Sequence, residues 1–331
     1  MKILSLSDRD LTEAAEALSS GAVVAFPTET VYGLGADAFN TSSIARIFNI
    51  KNRPTFDPLI IHIASMAGLD NLVNLEEMDR HSKENFFLLA KNFWPGPLTV
   101  VLPKQPAVPD LATSGLPTAG IRFPAFPAAQ KLISLSGKAI AAPSANPFGC
   151  LSPTKADHVI SQLGDKPDFI IDGGQAVLGL ESTVLDLSSD VPVLLRPGFI
   201  SREQIESITG PVKILNKNDD GEGAALSSPG LSKSHYAPHT PLRIYPKGTL
   251  KDEKDFPDEG KLYFSGSYDT GDPRIKVLTP EGSLEEAAAN FFDMLHNLDG
   301  LGLKLIKAEE APSGGIGEAI NDRLRRASAA F

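Results

Sequence analysis

Ala22-Val23-Val24-Ala25-Phe26, running directly into Pro27-Thr28-Glu29-Thr30-Val31-Tyr32-Gly33-Leu34-Gly35-Ala36-Asp37, decides how the first two hundred residues are read. The apolar, partly β-branched run predicts a strand, and the proline ends it. Beyond the proline come hydroxyls, a carboxylate and two permissive glycines, the composition of a tight loop. Such a loop is either a turn satisfied by its own Thr and Asp side chains or the receiver of a small polar ligand. Gly33-Leu34-Gly35-Ala36-Asp37-Ala38 also fits the G-x-G-x-x-A fingerprint that would bring in NAD(P). That fingerprint follows its strand at once and opens a helix, whereas here Pro27 to Tyr32 intervene and no helical pattern starts at the glycines.

Upstream, Asp10-Leu11-Thr12-Glu13 reads as a capping box, followed by an apolar face at Leu11, Ala14, Ala15 and Leu18. Downstream, helical patterns at Ser42 to Asn49, Ser82 to Phe93, Ala125 to Leu135 and Lys155 to Leu163 alternate with short apolar runs. These runs, at Leu59 to Ile63, Leu98 to Leu102, Gly120 to Phe123, Ala139 to Ala142, Phe169 to Ile171 and Thr183 to Leu187, predict strands. A mixed α/β domain with many strands follows. From Gly210 to Thr240 the periodicity disappears, and a polar, acidic tether at Asn216 to Gly223 leads to an ordered clamp, His235-Tyr236-Ala237-Pro238. Strands at Leu242 to Tyr245, Lys261 to Phe264, Ile275 to Leu278 and Leu303 to Ile306, with helices at Leu284 to Leu295 and Ile316 to Arg326, predict a second, smaller α/β domain.

A chain of 331 residues that is 42% hydrophobic has material for two cores. No apolar run is long enough to span a membrane, charge interrupts the first residues before a signal peptide can develop, and the one cysteine, Cys150, has no disulfide partner. These features point to the cytoplasm. A net charge of −10, shared equally by the parts before and after Ile205, argues against broad nucleic-acid affinity. Screening over about 8 Å leaves room for a local cationic pocket.

The candidates for chemistry are mostly cations and hydroxyls at strand ends. Lys51-Asn52-Arg53-Pro54 places two cations at a chain turn, suited either to gripping phosphate or to capping a helix end. His62 interrupts an apolar strand, as a core histidine or a ligand contact. Arg122, flanked by apolar strand residues, needs an anionic partner if buried, either a substrate or an internal carboxylate. Pro143-Ser144-Ala145-Asn146 and Ser152-Pro153-Thr154 add hydroxyls and an amide, with Thr154 read as an N-cap. Ser182 and Arg196 repeat the pattern. There is no Walker A sequence, no H-E-x-x-H, and no sequence-defined histidine partner for Cys150. This inventory suits phosphate binding and electrostatic stabilisation better than covalent catalysis.

In order along the chain, Pro27 to Gly35, Lys51 to His62, Phe93 to Thr99, Arg122, Pro143 to Asn146, Ser152 to Thr154 and Glu181 to Val184 resemble the motif set of the L-threonylcarbamoyladenylate synthase family. Ser228-Pro229-Gly230 with His235-Tyr236-Ala237-Pro238 resembles the linker of its long form. The resemblance implies a YrdC-like mixed twisted sheet over residues 1–209, a linker over 210–240, and a Rossmann-like α/β domain over 241–331. It implies that L-threonine, bicarbonate or CO2, and Mg-ATP yield threonylcarbamoyl-AMP and pyrophosphate, for partner enzymes that modify the adenosine beside the anticodon of certain tRNAs.

By the same resemblance, Thr30, His62, Arg122, Ala142 and Ser182 would surround threonine, with Arg122 on its carboxylate. Lys51, Arg53, Asp57, Thr118, Ser144, Asn146, Ser152 and Arg196 would line the nucleotide or its Mg2+, with His235 closing from the linker. No residue is assigned as a nucleophile. The chain departs from the family pattern at Asn52 (often Gly), Asp57 (often Asn), Phe148 (often Ser) and Ser232-Lys233-Ser234, where the family has K-Y-R before the clamp. An RNA-binding module and an NAD(P) dehydrogenase are the competing readings.

Overall fold

A computed structural model describes residues 1–215, 235–268 and 271–330. The tether and the Ser228 and Lys233 segments lie outside the described residues. The chain opens with β1 (Lys2–Leu4) and α1 (Asp8–Ser19), whose buried Leu11, Ala14, Ala15 and Leu18 are the stripe the periodicity predicts. The cap is Ser7, accepting from Asp10 N, and not the box expected from Asp10. Asp10 is committed elsewhere, because its carboxylate accepts from the backbone N and Oγ of Ser5.

Next come β2 (Val24–Phe26) and β3 (Gly33–Asp37). The glycine run expected to be loop is therefore a strand, antiparallel to β2, with Phe26 opposite Gly33. At Gly35 a Cβ would lie 2.6 Å from the Phe26 ring and 2.7 Å from Ile140, so the glycine lets neighbouring side chains cross close to the backbone. That is sheet packing, and it removes the dinucleotide reading. α2 (Thr41–Lys51) ends at Asn52, which takes a left-handed φ of 50°. Asparagine tolerates that region better than other side chains with a Cβ.

β4 (Ile60–His62), α3 (Arg80–Phe93), β5 (Leu98–Pro103), α4 (Asp110–Thr113), β6 (Thr118–Arg122), α5 (Pro127–Ser136) and β7 (Ile140–Ala141) follow. α6 (Ala156–Leu163), β8 (Phe169–Ile171), β9 (Thr183–Asp186), β10 (Val193–Arg196), α7 (Arg202–Thr209) and β11 (Lys213–Ile214) complete the first unit. Thr154 does not cap α6: Lys155 holds that position, and the Thr154 backbone N–H instead donates to His158 Nδ1 at 3.2 Å. The strands form one mixed sheet in the order β1-β8-β2-β3-β7-β4-β6-β5-β9-β10-β11. Its last strand reaches into the range expected as linker, pairing parallel with β10.

The second unit comprises β12 (Leu242–Tyr245), β13 (Glu259–Ser265), β14 (Ile275–Thr279), α8 (Leu284–Asp299), β15 (Leu305–Glu309) and α9 (Ile316–Ser328). Its sheet, ordered β12-β15-β13-β14, is parallel throughout. Its core does not stop at the domain boundary. Val31, Leu151 and Leu180 of the first unit and Tyr236 of the clamp pack into one apolar cluster with Phe291, Phe292 and Leu295 of α8. Such a continuous apolar seam holds the two units against each other.

Candidate active site

Strand pairing creates the site. β4 and β6 are parallel with His62 opposite Arg122, and β5 lies antiparallel to β6 with Thr99 opposite Arg122. β9 begins beside β5, and Arg196 ends β10 opposite Val184. Strand ends that are far apart in sequence thus meet around a cleft of about 530 Å³.

Thr30, His62, Arg122, Ala142 and Ser182 line this cleft, together with Arg53, Ser144, Arg196 and His235. The hydroxyls have assignable directions. Thr28 Oγ1 donates to Val31 O at 2.6 Å, so in its 2.8 Å contact with Thr30 the proton must come from Thr30. Thr30 Oγ1 is left with lone pairs to offer an incoming donor. Ser182 Oγ lies 2.7 Å from Thr99 Oγ1 and accepts from Arg196 Nη2 at 3.2 Å, while Arg196 Nε and Nη2 also donate to Ser182 O.

Arg122, only 4% exposed, has the anionic partner its burial requires: Nη2 donates to Glu29 Oε1 at 2.6 Å. The other Glu29 carboxylate oxygen is buried without a hydrogen bond. His62 is pulled down to about 3 by burial and by the charge of Arg122, and His235 is held well below its usual value by burial and by Arg53. Both rings are neutral at pH 7. Among the charged lining residues, Arg53, Arg122 and Arg196 face Glu181 alone, a cationic pocket within an acidic protein.

The remaining candidates do not line the cleft. Lys51, buried at the end of α2, donates to the backbone carbonyls of Ser144 (2.6 Å) and Asn146, tying down the loop after β7. Burial, then the charge of Arg53, lowers its pKa well below the usual lysine value. Asp57 is fully buried and forms an ion pair with Arg53 at 2.9 Å, without hydrogen-bond geometry at its carboxylate oxygens. Burial raises its pKa. Arg53 also donates to Asp57 O at 3.0 Å and Pro58 O at 2.8 Å, fixing that turn. Asn146 Nδ2 donates to Pro147 O and Cys150 O, and Ser152 Oγ donates to Glu181 Oε1. Thr118 starts β6, at the end away from Arg122, and lines a neighbouring hollow with Thr99, Thr113 and Leu116.

The clamp docks onto this loop system. Ala237 N donates to Gly149 O at 2.7 Å, and the His235 ring meets Phe148 edge-on at 5.6 Å. Phe148 also lies 5.9 Å from the Arg53 guanidinium, so this departure from the family pattern forms part of the wall between clamp and pocket. Sequence reasoning assigns no role to Glu29, Thr99, Glu181 or Arg323, while Tyr236 belongs to the expected clamp. The two glutamates stood next to Thr30 and Ser182 in quoted motifs, and that adjacency was the available signal. Arg323 had none, because only folding brings α9 to the cleft.

The Sua5/YciO/YrdC family model, described as telomere recombination, matches residues 16–198. The model described as threonylcarbamoyl-AMP synthase, C-terminal domain, matches residues 200–329. The threonylcarbamoyl-AMP synthase of Pyrococcus abyssi is 42% identical over 325 residues, covering 95% of this chain and 93% of that protein. The Bacillus subtilis protein of the same name is 41% identical over 343 residues, covering 98% and 94%. The crystal structure of Pyrococcus abyssi Sua5 complexed with L-threonine superposes with a TM-score of 0.88 at 40% identity, covering 99% of this chain and 98% of that one. With both units matched in order and nearly the whole length aligned, the chain belongs to the long-form threonylcarbamoyl-AMP synthase family, enzymes of the nucleotidyltransferase type.

Proposed function

We propose that this chain binds L-threonine and ATP side by side in the cleft and joins them, through CO2 or bicarbonate, into threonylcarbamoyl-AMP with release of pyrophosphate. The observation that carries the assignment of roles is the buried cluster of Thr30, His62, Arg122 and Ser182 beside Arg53 and Arg196. Threonine's carboxylate takes the Arg122 guanidinium, in competition with Glu29. The lone pairs of Thr30 accept from its amino group, and neutral His62 closes the floor without adding charge. The free amine adds to CO2 and gives up a proton to water, leaving a carbamate, and a carbamate oxygen attacks the α-phosphorus in line. That oxygen–phosphorus bond forms as the bond to the bridging oxygen breaks, and the electron pair leaves with pyrophosphate.

Arg53, Arg196 and the Ser144 loop are proposed to receive the phosphates, with Lys51 acting through the loop carbonyls it holds. Asp57 is proposed to set the direction of Arg53. Asn146 and Ser152 brace the surrounding loops, Thr118 bounds the adjoining hollow on the nucleotide side, and Ala142 contributes backbone. Charge-assisted hydrogen bonds of this kind are worth about 1.5–3 kcal/mol each, so a set of them selective for the transition state suffices without a covalent step.

Among the described residues no cluster of three or more His, Cys, Asp or Glu side chains could hold a metal, and the lining carboxylate, Glu181, is committed to Ser152 and Arg323. Mg2+ is therefore proposed to arrive on the ATP phosphates, where it would neutralise charge, and no step is assigned to a protein-held ion. The product is proposed to serve a tRNA-modifying threonylcarbamoyl transferase in the cytoplasm. No helix among the described residues is long and apolar enough to cross a membrane.

Pyrophosphate release from Mg-ATP, with threonine and bicarbonate omitted in turn and the nucleotide product weighed by mass spectrometry, tests the reading. Release requiring both, with threonylcarbamoyl-AMP as product, is the expected result. Intact ATP under every condition would move the assignment to a binding module.

A further inference from the structure

α9 belongs to the second unit, yet one of its side chains ends in the catalytic unit. Arg323 is fully buried, and its Nε donates to Glu181 Oε2 at 3.0 Å. Its Nη1 donates to Pro197 O at 2.7 Å and to Asp322 Oδ2 at 3.1 Å. The guanidinium also lies 5.2 Å from the centre of the Tyr236 ring. One planar fork therefore touches the residue before Ser182, the residue after Arg196, and the clamp. The other Glu181 oxygen accepts from Ser152 Oγ, so Glu181 is held from both sides.

Resting on the proposed synthase reading, we infer that Arg323 is a positioning residue through which the C-terminal domain sets the geometry of Ser182, Arg196 and Tyr236. The reason lies in the fork. Arg196 binds Ser182 O and Oγ, so the start of β9 and the end of β10 already form a unit, and Arg323 bridges its outer flanks, Glu181 and Pro197. Lysine cannot reproduce two divergent donors in one plane. With the arginine removed, a buried carboxylate loses its counter-charge, and the Glu181-Ser182 backbone is free to turn toward water. The second domain is thereby part of the active site, at one remove from the substrates.

The test compares R323A, R323K, the double variant R323A/E181Q and a control, L250A. Leu250 is fully buried in an apolar cluster of the second unit, with Tyr263 and Val277, that is separate from the seam joining the two units, so its truncation weakens the domain without touching the fork. Each is assayed well below its melting temperature. We expect R323A to lose at least tenfold in threonine-dependent pyrophosphate release with a raised KM for threonine, R323K to recover little of it, and L250A to keep near wild-type turnover. E181Q is expected to restore part of what R323A loses, because it removes the unpaired charge. Hydrogen exchange at residues 181–183 and 196–198 should quicken in R323A and not in L250A. Wild-type kinetics in R323A, or equal losses in R323A and L250A, would overturn the inference. If the wild-type protein itself releases no threonine-dependent pyrophosphate, the synthase reading fails while the exchange comparison still decides whether Arg323 positions the pocket.

Discussion

Arg122 shows how a buried side chain that the fold must pair is also the one proposed to hold the substrate. It must be paired to stay buried at the end of β6, and Glu29 supplies the pairing at 2.6 Å, the partner that a substrate carboxylate is proposed to replace. R122A should therefore raise the apparent threonine KM by roughly 10- to 100-fold, the equivalent of one charge-assisted pair, with a much smaller change for ATP. Unchanged threonine affinity in steady-state assays would refute the carboxylate assignment. At Asn52 the argument is backbone alone: N52A must hold a φ of 50° without the asparagine's tolerance, and N52G need not. We expect N52A to lower stability by about 1 kcal/mol and N52G to leave it near wild type, read from urea midpoints.

At the scale of elements, the contact between the loop before β9 and helix α8 is set by a glycine. Gly179 has φ +71°, and a Cβ there would lie 2.3 Å from Ala288 O and 2.6 Å from Ala289 Cα. G179A has to push the helix away, at about 2–3 kcal/mol or more, and should lower the melting temperature and loosen the clamp. A melting temperature equal to wild type would show that the seam yields freely. A few residues away, His158 of α6 stacks on His296 of α8 at 3.9 Å. Their partners fix the tautomers: Thr154 N–H occupies His158 Nδ1, and His296 Nε2 donates to Ser152 O at 3.1 Å. Asp293 Oδ1 sits 2.5 Å from Lys155 Nζ and 3.3 Å from His158 Nε2.

For the whole molecule this cluster has a pH signature. Burial, then the charge of His158, brings His296 down to about 4, so the unfolded chain binds its proton more readily than the folded one. Stability from this group is complete above pH 6.5 and is lost progressively as pH falls toward 4. Asp293, lowered to about 2 chiefly by its hydrogen bond to His158, adds a further loss at more acidic pH, from about 3.8 downward. Urea midpoints should therefore fall between pH 7 and pH 5, and H296Q should show a shallower slope. Equal slopes in the two proteins would remove His296 from the account. Because Val31, Leu151 and Leu180 pack against the second unit, acid loosening of the seam should reach the active site, seen as lost threonine-dependent turnover before global unfolding.

What the sequence determined by itself was local or carried in short motifs. Period-2 and period-3.6 patterns located Phe169–Ile171 and Leu242–Tyr245 to the residue and most helices to within a turn, because those patterns record which face is buried. The motif set brought Thr30, His62, Arg122, Ser182 and Arg196 forward as candidates, since buried cations and hydroxyls at strand ends are conspicuous in an apolar run. Gly33–Asp37 read as loop because its strand is made of small residues, whose value lies in what packs across them. Tertiary structure alone decided that Lys51, Asn146 and Ser152 spend their polar atoms on neighbouring backbone or side chains, that Glu29 neutralises Arg122, and that Arg323 reaches Glu181 across 142 residues of chain. The physical reason is common to all of these: a buried charge or hydroxyl is governed by the nearest complementary atom in space, and spacing along the chain carries no record of that neighbour.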